Sequence, residues 1–268
     1  MLKYYVADAF AEHVFEGNPA GVCILEEWLP EETMKSIAME NNLSETEFAV
    51  KRGDDPCSYE LRWFTPADEI DLCGHCTLGT AYILFRFYEK NVSEIHFNIL
   101  KCSHQLTVTK EGDLLTMDFP AIPAVPYKYE DYMGGGVGAV PAEVLRTERD
   151  LMLVYDSDET VRTMQPDFGK LKEFSVGQSV YVTAKSSDPA YDIVARAFWP
   201  KLGINEDPVC GSMHTTLVPY WSRILKKNNI VSRELSARGG TLYCELCGNR
   251  IKLSGKCQLY LCGEILVT

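Results

Sequence analysis

The 268-residue sequence has no apolar run approaching the roughly 20 residues that span a bilayer. Its N-terminus, Met1-Leu2-Lys3-Tyr4-Tyr5-Val6-Ala7-Asp8, alternates like a strand and has neither the apolar block nor the small-residue cleavage site of a secretory leader. A membrane span and a secreted product are therefore not expected, and the chain reads as cytoplasmic. Positive charge is also scarce. The 26 Lys and Arg stand against 38 Asp and Glu, a net charge of −12, and no basic run offsets it locally. Nucleic acid and anionic lipid are disfavoured as partners. A small anionic ligand is not, because helix N-termini and backbone N–H groups bind carboxylates without local Lys or Arg. Missing too is the apolar strand that must precede a dinucleotide-binding turn. Gly134-Gly135-Gly136-Val137-Gly138-Ala139 fits that spacing formally, but Pro141 follows at once and a flexible loop is expected.

What is present is ordinary globular material, 46% hydrophobic and 24% charged, which excludes disorder. The length exceeds a usual single domain, so two domains are expected. Ten cysteines could suggest a disulfide scaffold, but that arrangement belongs to short secreted chains with even spacing. Cys23, Cys57, Cys102, Cys257 and Cys262 lie in apolar strand-like contexts and are expected to be reduced and buried.

Strand-like runs near 3–9 and 20–25 precede a helix near 31–41, in which Met34, Ile37 and Ala38 share one face and Asn41-Asn42 is the stop. Tyr59, Leu61 and Trp63 alternate with polar residues as on a half-buried strand, and an apolar helix of about 15 residues follows Gly74. Strand patterns recur near 94–100, 104–109 and 113–119, and the Pro-rich segment Pro120–Pro126 marks a linker. The division expected is 1–120 and 121–268, with the last strand free to return to the first domain. The second half repeats the plan of the first. Phe64-Thr65-Pro66, Cys73-Gly74 and a helix with Leu78 and Tyr82 parallel Phe198-Trp199-Pro200, Cys210-Gly211 and a helix with Leu217 and Tyr220. Cys73 and Cys210 stand 137 residues apart, about half the chain, which points to an internal duplication. Two such domains would face each other across a cleft, where ligands commonly bind.

Each Cys-Gly falls where a strand-like run gives way to an apolar helix, so N–H groups of the first turn could hold a carboxylate or enolate. The same field favours a thiolate at Cys73 and Cys210. His75 and Ser212 follow the two glycines and could act as proton carriers or hydrogen-bond donors. His13, His96, His104 and His214 have no comparable context. Asn42-Leu43-Ser44-Glu45-Thr46-Glu47 links the first helix to a strand. Ser44 with Glu47 spells a helix-capping box, but too few apolar residues follow for a new helix. A carboxylate desolvated on such a connection can both remove and return a proton. Cys73-x-x-Cys76 and Cys244-x-x-Cys247 could together supply four thiolates for zinc. The first pair would sit at a helix start, however, and the two are far apart in sequence, so neither a metal nor an organic cofactor is expected.

These residues resemble the phenazine-biosynthesis-like (PhzF-type) isomerase family, related to diaminopimelate epimerase and proline racemase. The carriers are Asp8-Ala9-Phe10 with Gly17-Asn18-Pro19-Ala20, Asn42-Leu43-Ser44-Glu45-Thr46, Phe64-Thr65-Pro66 through Asp71-Leu72-Cys73-Gly74-His75, and Gly203-Ile204-Asn205-Glu206-Asp207-Pro208-Val209 with Gly211-Ser212. The resemblance implies an α+β fold of two pseudo-symmetric domains, each a curled, mostly antiparallel sheet around a central helix, assembled as a homodimer. It makes Glu45 the acid/base that shuttles a proton between carbons of a small carboxylated metabolite. Ser44, Gly74, His75, Asp207, Gly211 and Ser212 would bind the substrate or relay protons. In the best-known member a dihydrohydroxyanthranilate becomes its keto isomer with no metal or organic cofactor. One departure is Cys210, where family members often carry Thr or Ala. The cysteine-pair racemases of this fold use two thiols at these helix starts, so a Cys73/Cys210 amino-acid racemase or epimerase is a second reading. A non-catalytic small-ligand-binding protein is a third.

Overall fold

The period-two pattern at the N-terminus becomes strand β1 (Leu2–Ala9), antiparallel to β2 (Asn18–Leu25). Helix α1 (Glu31–Asn41) buries Met34, Ile37 and Ala38 and stops at Asn42, which takes the left-handed conformation (φ 49°) that Asn tolerates better than most residues. This helix carries the chain over to β3 (Thr46–Lys51), parallel to β2. The computed structural model describes residues 1–53, 55 and 57–267. Its sheet continues with β4 (Ser58–Phe64), antiparallel to β3, and the short β5 (Glu69–Ile70) folds back on the end of β4. Helix α2 (Gly74–Ile83) runs on through a π-helical turn at Leu84–Tyr88, so the helical stretch has the expected length. It is followed by β6 (Glu94–Ile99), parallel to β4, then β7 (His104–Glu111) and β8 (Leu114–Pro120), each antiparallel to its predecessor.

Strand β3 is buried on both faces from Thr46 to Val50, because α1 packs on one side and α2 on the other. Phe48 and Val50 join the α1-side cluster with Met34 and Ile37, while Glu47 and Ala49 point the opposite way, toward α2. Eight of the ten α2 residues, His75 to Ala81 and Ile83, are buried, which makes it the central helix of its sheet. A Cβ at Gly79 would come within 3.0 Å of the Ala20 side chain, so this glycine lets α2 lie close on β2.

The second compact unit, Phe119–Leu253, has the same order of pairings. After β9 (Val125–Pro126) and α3 (Asp131–Val137) come β10 (Glu143–Arg146), β11 (Leu151–Tyr155), α4 (Asp158–Thr163), α5 (Phe168–Lys172), β12 (Val180–Lys185) and β13 (Ile193–Trp199). Strand β11 is parallel to β12, which is antiparallel to β13. The short β14 (Ile204–Asp207) folds back on β13, helix α6 (His214–Leu225) follows, and β15 (Asn229–Glu234) returns parallel to β13. The unit closes with β16 (Gly240–Cys247), antiparallel to β15, and β17 (Arg250–Gly255). In both halves, then, a strand, a short fold-back, an apolar helix and a parallel strand occur in that order. The final strand β18 (Cys257–Ile265) pairs antiparallel with β1 and belongs to the first unit, Met1–Asp118 together with the segment from Ser254.

Three local expectations differ from the structure. Gly134-Gly135-Gly136 is not a flexible loop but part of α3, and a Cβ at Gly136 would come within 2.5 Å of the Phe174 ring. Small residues there serve close packing against α5. Pro120–Pro126 is not an unpatterned linker: Ala121 N–H donates to Asn249, Ile122 N–H to Thr215, and Val125 and Pro126 pair with β10. Cys23 and Cys257 are buried, but Cys57 and Cys102, which lie on turns outside the strands, are half-buried, and Cys262 on the final strand is exposed. All ten cysteines are free thiols. Among the described residues no helix is long and apolar enough to cross a membrane.

Candidate active site

Glu45 immediately precedes β3, and its carbonyl accepts the Gly21 N–H across the parallel pair with β2. Side chains along a strand alternate, so Glu45 shares the face of Glu47, the face covered by α2. That places it against the first turn of α2. Its Oε2 lies 3.2 Å from His75 Nε2, and the side chain is 10% exposed. Ring and carboxylate are not aligned for a hydrogen bond, and Glu45 Oε2 is a buried atom without a hydrogen-bond partner among the described residues. Its neighbouring charged group is the His75 ring, so the oxygen is held by an ion pair and keeps its hydrogen-bonding capacity.

Cys73 is the N-cap of α2, with its carbonyl taking the Thr77 N–H and the Thr77 hydroxyl at 3.2 and 2.7 Å. Its Sγ stands 3.6 Å from His75 Nδ1, and Cys76 Sγ stands 3.4 Å from His75 Nε2. Burial opposes a thiolate at Cys73, but the hydrogen bond from Cys76 and the positive charge of His75 outweigh it and hold this thiol below its ordinary pKa. Burial likewise opposes an imidazolium at His75, but Cys73 and Glu45 outweigh it and raise His75 well above its usual value. Cys76 is pushed well up by burial and by Cys73. The turn thus shifts Cys73 toward its thiolate and His75 toward its imidazolium, with the Glu45 side chain beside them. Gly74, between them, has room: a Cβ would meet only Met117 Cε, at 3.8 Å. Glu45, Cys73, His75 and Cys76 are all buried, and their donor atoms lie within 4.8 Å of one another. Ser44 is half-buried on the bend before Glu45.

Glu47 lies behind this cluster and escaped sequence reasoning, where it served only as half of a capping box. It is fully buried, accepting Trp63 Nε1–H at 2.8 Å and the Thr80 hydroxyl at 2.6 Å. Burial raises its pKa well above the ordinary value, against smaller lowering effects of the Thr80 and Trp63 hydrogen bonds. The available signal was an acidic residue inside the otherwise apolar run Phe48-Ala49-Val50 and directly opposite Trp63.

In the second unit Asp207, Cys210, Gly211 and Ser212 come together at the corresponding turn. Asp207 ends β14 and accepts the Val209 N–H at 3.3 Å; Cys210 N–H donates to Glu234 Oε1 at 2.8 Å, and Cys210 Sγ lies 3.5 Å from Ser212 Oγ. This turn differs from the expectation in two respects. The helix begins at His214 rather than directly after Gly211, through a tighter turn in which Ser212 and Met213 carbonyls accept from residues three ahead. Cys210 also carries no lowered pKa: burial, then the negative charge of Asp207 and Glu234, pushes its thiol well above the ordinary value. Glu234 itself is raised by burial. His214, which no sequence context singled out, is fully buried and places Nδ1 3.0 Å from the Cys210 carbonyl and Nε2 2.8 Å from Ser232 Oγ. As a carbonyl only accepts, Nδ1 bears the proton and the Ser232 hydroxyl donates to Nε2. The second Cys-x-x-Cys pair is no bidentate set: Cys244 and Cys247 lie three apart on β16 and project to opposite faces.

Residues 7–263 match the family model described as phenazine biosynthesis-like protein. Over 98% of both chains the sequence is 44% identical to a Pseudomonas aeruginosa protein named an uncharacterized isomerase, and it is 34% identical to a mouse phenazine biosynthesis-like domain-containing protein over 98% of this chain and 99% of that one. The crystal structure of an Enterococcus faecalis protein of the phenazine biosynthesis PhzF family superposes with a TM-score of 0.95 at 45% identity, covering 100% of each chain. A probable proline racemase from Agrobacterium radiobacter shares the fold alone, with a TM-score of 0.63 at 9% identity over 100% of this chain and 94% of the other.

Proposed function

Because the chain belongs to the phenazine biosynthesis-like family, we propose that it is a cofactor-independent isomerase that moves a proton between carbons of a small carboxylated metabolite, with Glu45 as the acid/base. The observation that carries this reading is the buried, unpartnered Oε2 of Glu45 held 3.2 Å from His75. A carboxylate so placed takes a proton from a carbon acid and returns it one or two carbons away. The His75 imidazolium balances the carboxylate and donates to charge developing on the substrate, and the N–H groups at the start of α2 serve the substrate's own carboxylate. Ser44 and Gly74 line the approach to Glu45. Asp207, Gly211 and Ser212, on the corresponding turn of the second unit, are assigned to substrate binding on the family resemblance alone. The active form is a homodimer in the cytoplasm.

The test is deuterium uptake from heavy water into a panel of small unsaturated and hydroxylated carboxylic acids. Exchange into one of them is expected with the wild type, and Glu45→Gln is expected to slow it about 10²–10⁴-fold, the usual worth of a general acid–base. Undiminished exchange by Glu45→Gln would sink the proposal. A second reading, proton transfer by the Cys73 thiol, is favoured by the lowered pKa of that residue alone. It requires the opposite result: exchange lost in Cys73→Ser and kept in Glu45→Gln. The raised thiol at Cys210 counts against a reversible two-thiol racemase, which needs both thiols to give and take protons readily.

A further inference from the structure

We propose that Glu45, Cys73, His75 and Cys76 form a binding site for one borderline-soft divalent cation, zinc being the natural occupant. The site is confined to the first unit, on the turn before β3 and the first turn of α2. Zinc bound tetrahedrally, with about 2.3 Å to sulfur and about 2.0–2.2 Å to imidazole nitrogen or carboxylate oxygen, sets ligand–ligand edges of about 3.6 Å for sulfur–nitrogen and about 3.4 Å for nitrogen–oxygen. Through His75 Nε2 the separations here are 3.4 Å to Cys76 Sγ and 3.2 Å to Glu45 Oε2, each within a few tenths of an ångström of the required value. Cys73 Sγ stands 3.6 Å from Nδ1 and 4.0 Å from Nε2, so it joins as the fourth ligand on a turn of the ring, and no pair of donors exceeds 4.8 Å.

The donor chemistry fits the same metal. Two thiols, one imidazole and one carboxylate select zinc or cobalt over magnesium or calcium, which prefer all-oxygen sets of higher number. The site is built rather than incidental: Cys73, His75, Cys76 and Glu45 are 5%, 8%, 0% and 8% exposed, and Glu45 offers an oxygen with no hydrogen-bond partner to lose. The Thr77 hydroxyl and N–H fix the Cys73 carbonyl and so the backbone of the first turn that carries both sulfurs. Occupancy would tie up Glu45 and His75 together. On the function proposed above, the metal-bound protein is therefore the inactive form. That consequence rests on the Glu45 reading, whereas the site itself does not.

Titration of the reduced, full-length protein with Co²⁺ tests the site. One equivalent is expected to give a thiolate-to-cobalt charge-transfer band and intense tetrahedral visible bands, both bleached by Zn²⁺. Cys76→Ser is expected to weaken cobalt binding at least about tenfold and to cut the charge-transfer intensity by about half, as loss of one of two thiolates requires. Cys262→Ser, which alters an exposed thiol, should leave both unchanged. Absence of a thiolate band, or a band that survives Cys76→Ser at full intensity, overturns the proposal. Should Cys76→Ser not fold, X-ray absorption on the zinc-loaded wild type decides instead: two sulfurs at about 2.3 Å with two lighter ligands at about 2.0–2.2 Å support the site, and any other sulfur count refutes it. Once a substrate is in hand, zinc binding without inhibition would leave the site standing and refute the role given to Glu45.

Discussion

The neutral ring of His214 makes a quantitative demand on the pH dependence of folding. Burial, the largest influence, pulls its pKa down from 6.5 to about 4, against a smaller upward effect of the hydrogen bond with the Cys210 backbone. The unfolded chain takes up this proton below about pH 6.5, whereas the folded chain refuses it until about pH 4. Stability that depends on the neutral ring is therefore complete above pH 6.5 and is lost as the pH falls toward 4. A gap of about 2.5 pH units is about 3 kcal/mol in full, of which about 1 kcal/mol is lost between pH 7.5 and 5.5. Glu47 and Glu234 work in the opposite sense, since their raised values mean that folding takes up protons. The quantity to measure is therefore the difference between wild type and His214→Asn, which keeps a donor for the Cys210 carbonyl but cannot titrate. Urea unfolding followed by tryptophan fluorescence at the two pH values supplies it. The wild type is expected to be the more stable at pH 7.5, by about 1–3 kcal/mol for the lost packing and the lost Ser232 bond. That advantage should shrink by about 1 kcal/mol at pH 5.5. An advantage that stays constant would refute the neutral, hydrogen-bonded ring.

Two further outcomes follow from the buried groups of the first unit. Glu47→Gln is expected to cost at most about 1 kcal/mol at pH 7 and to gain on the wild type as the pH rises, because burial disfavours the charged form of the carboxyl it replaces; Glu47→Ala, which strands the Trp63 N–H and opens a cavity, should cost about 3–5 kcal/mol. Equal losses for Gln and Ala in urea unfolding would contradict the raised, buried carboxyl. Cys73 and Cys210 are almost equally covered, at 5% and 3% exposure, so their alkylation rates compare thiolate character more than access. Peptide mapping after brief iodoacetamide treatment near pH 6.5 should find Cys73 modified well before Cys210, with His75→Gln slowing Cys73. Equal labelling, or no effect of His75→Gln, would count against the ion pair.

Glu45 was legible in the sequence only through the company it keeps. A carboxylate on a short connection is ordinarily a solvated surface group, and it was the adjoining Ser44, together with the Gly74-His75 and Asp207 motifs farther along, that distinguished it. The pairing of Glu45 with Cys73 and His75 could not be read locally, since these residues meet only because β3 turns its odd-numbered face toward α2. Glu47 was passed over for the same reason, since within its own segment it looks like half of a helix cap, and Cys76 was read only as half of a Cys-x-x-Cys pair.

The amino-acid sequence by itself determined the broad plan: alternating strands, two apolar helices each introduced by Cys-Gly, a duplicated order, and motifs that single out Glu45, His75 and Asp207. These depend on periodicity and on residue types at short range, which a chain carries whether or not it is folded. Tertiary structure alone decided the ionisation of the groups. Cys73 and Cys210 open matching turns with the same dipeptide, yet one thiol is lowered beside an imidazolium and the other raised beside carboxyl groups. A pKa is set by desolvation and by charges a few ångströms away in space, and those neighbours come from elements distant in the chain.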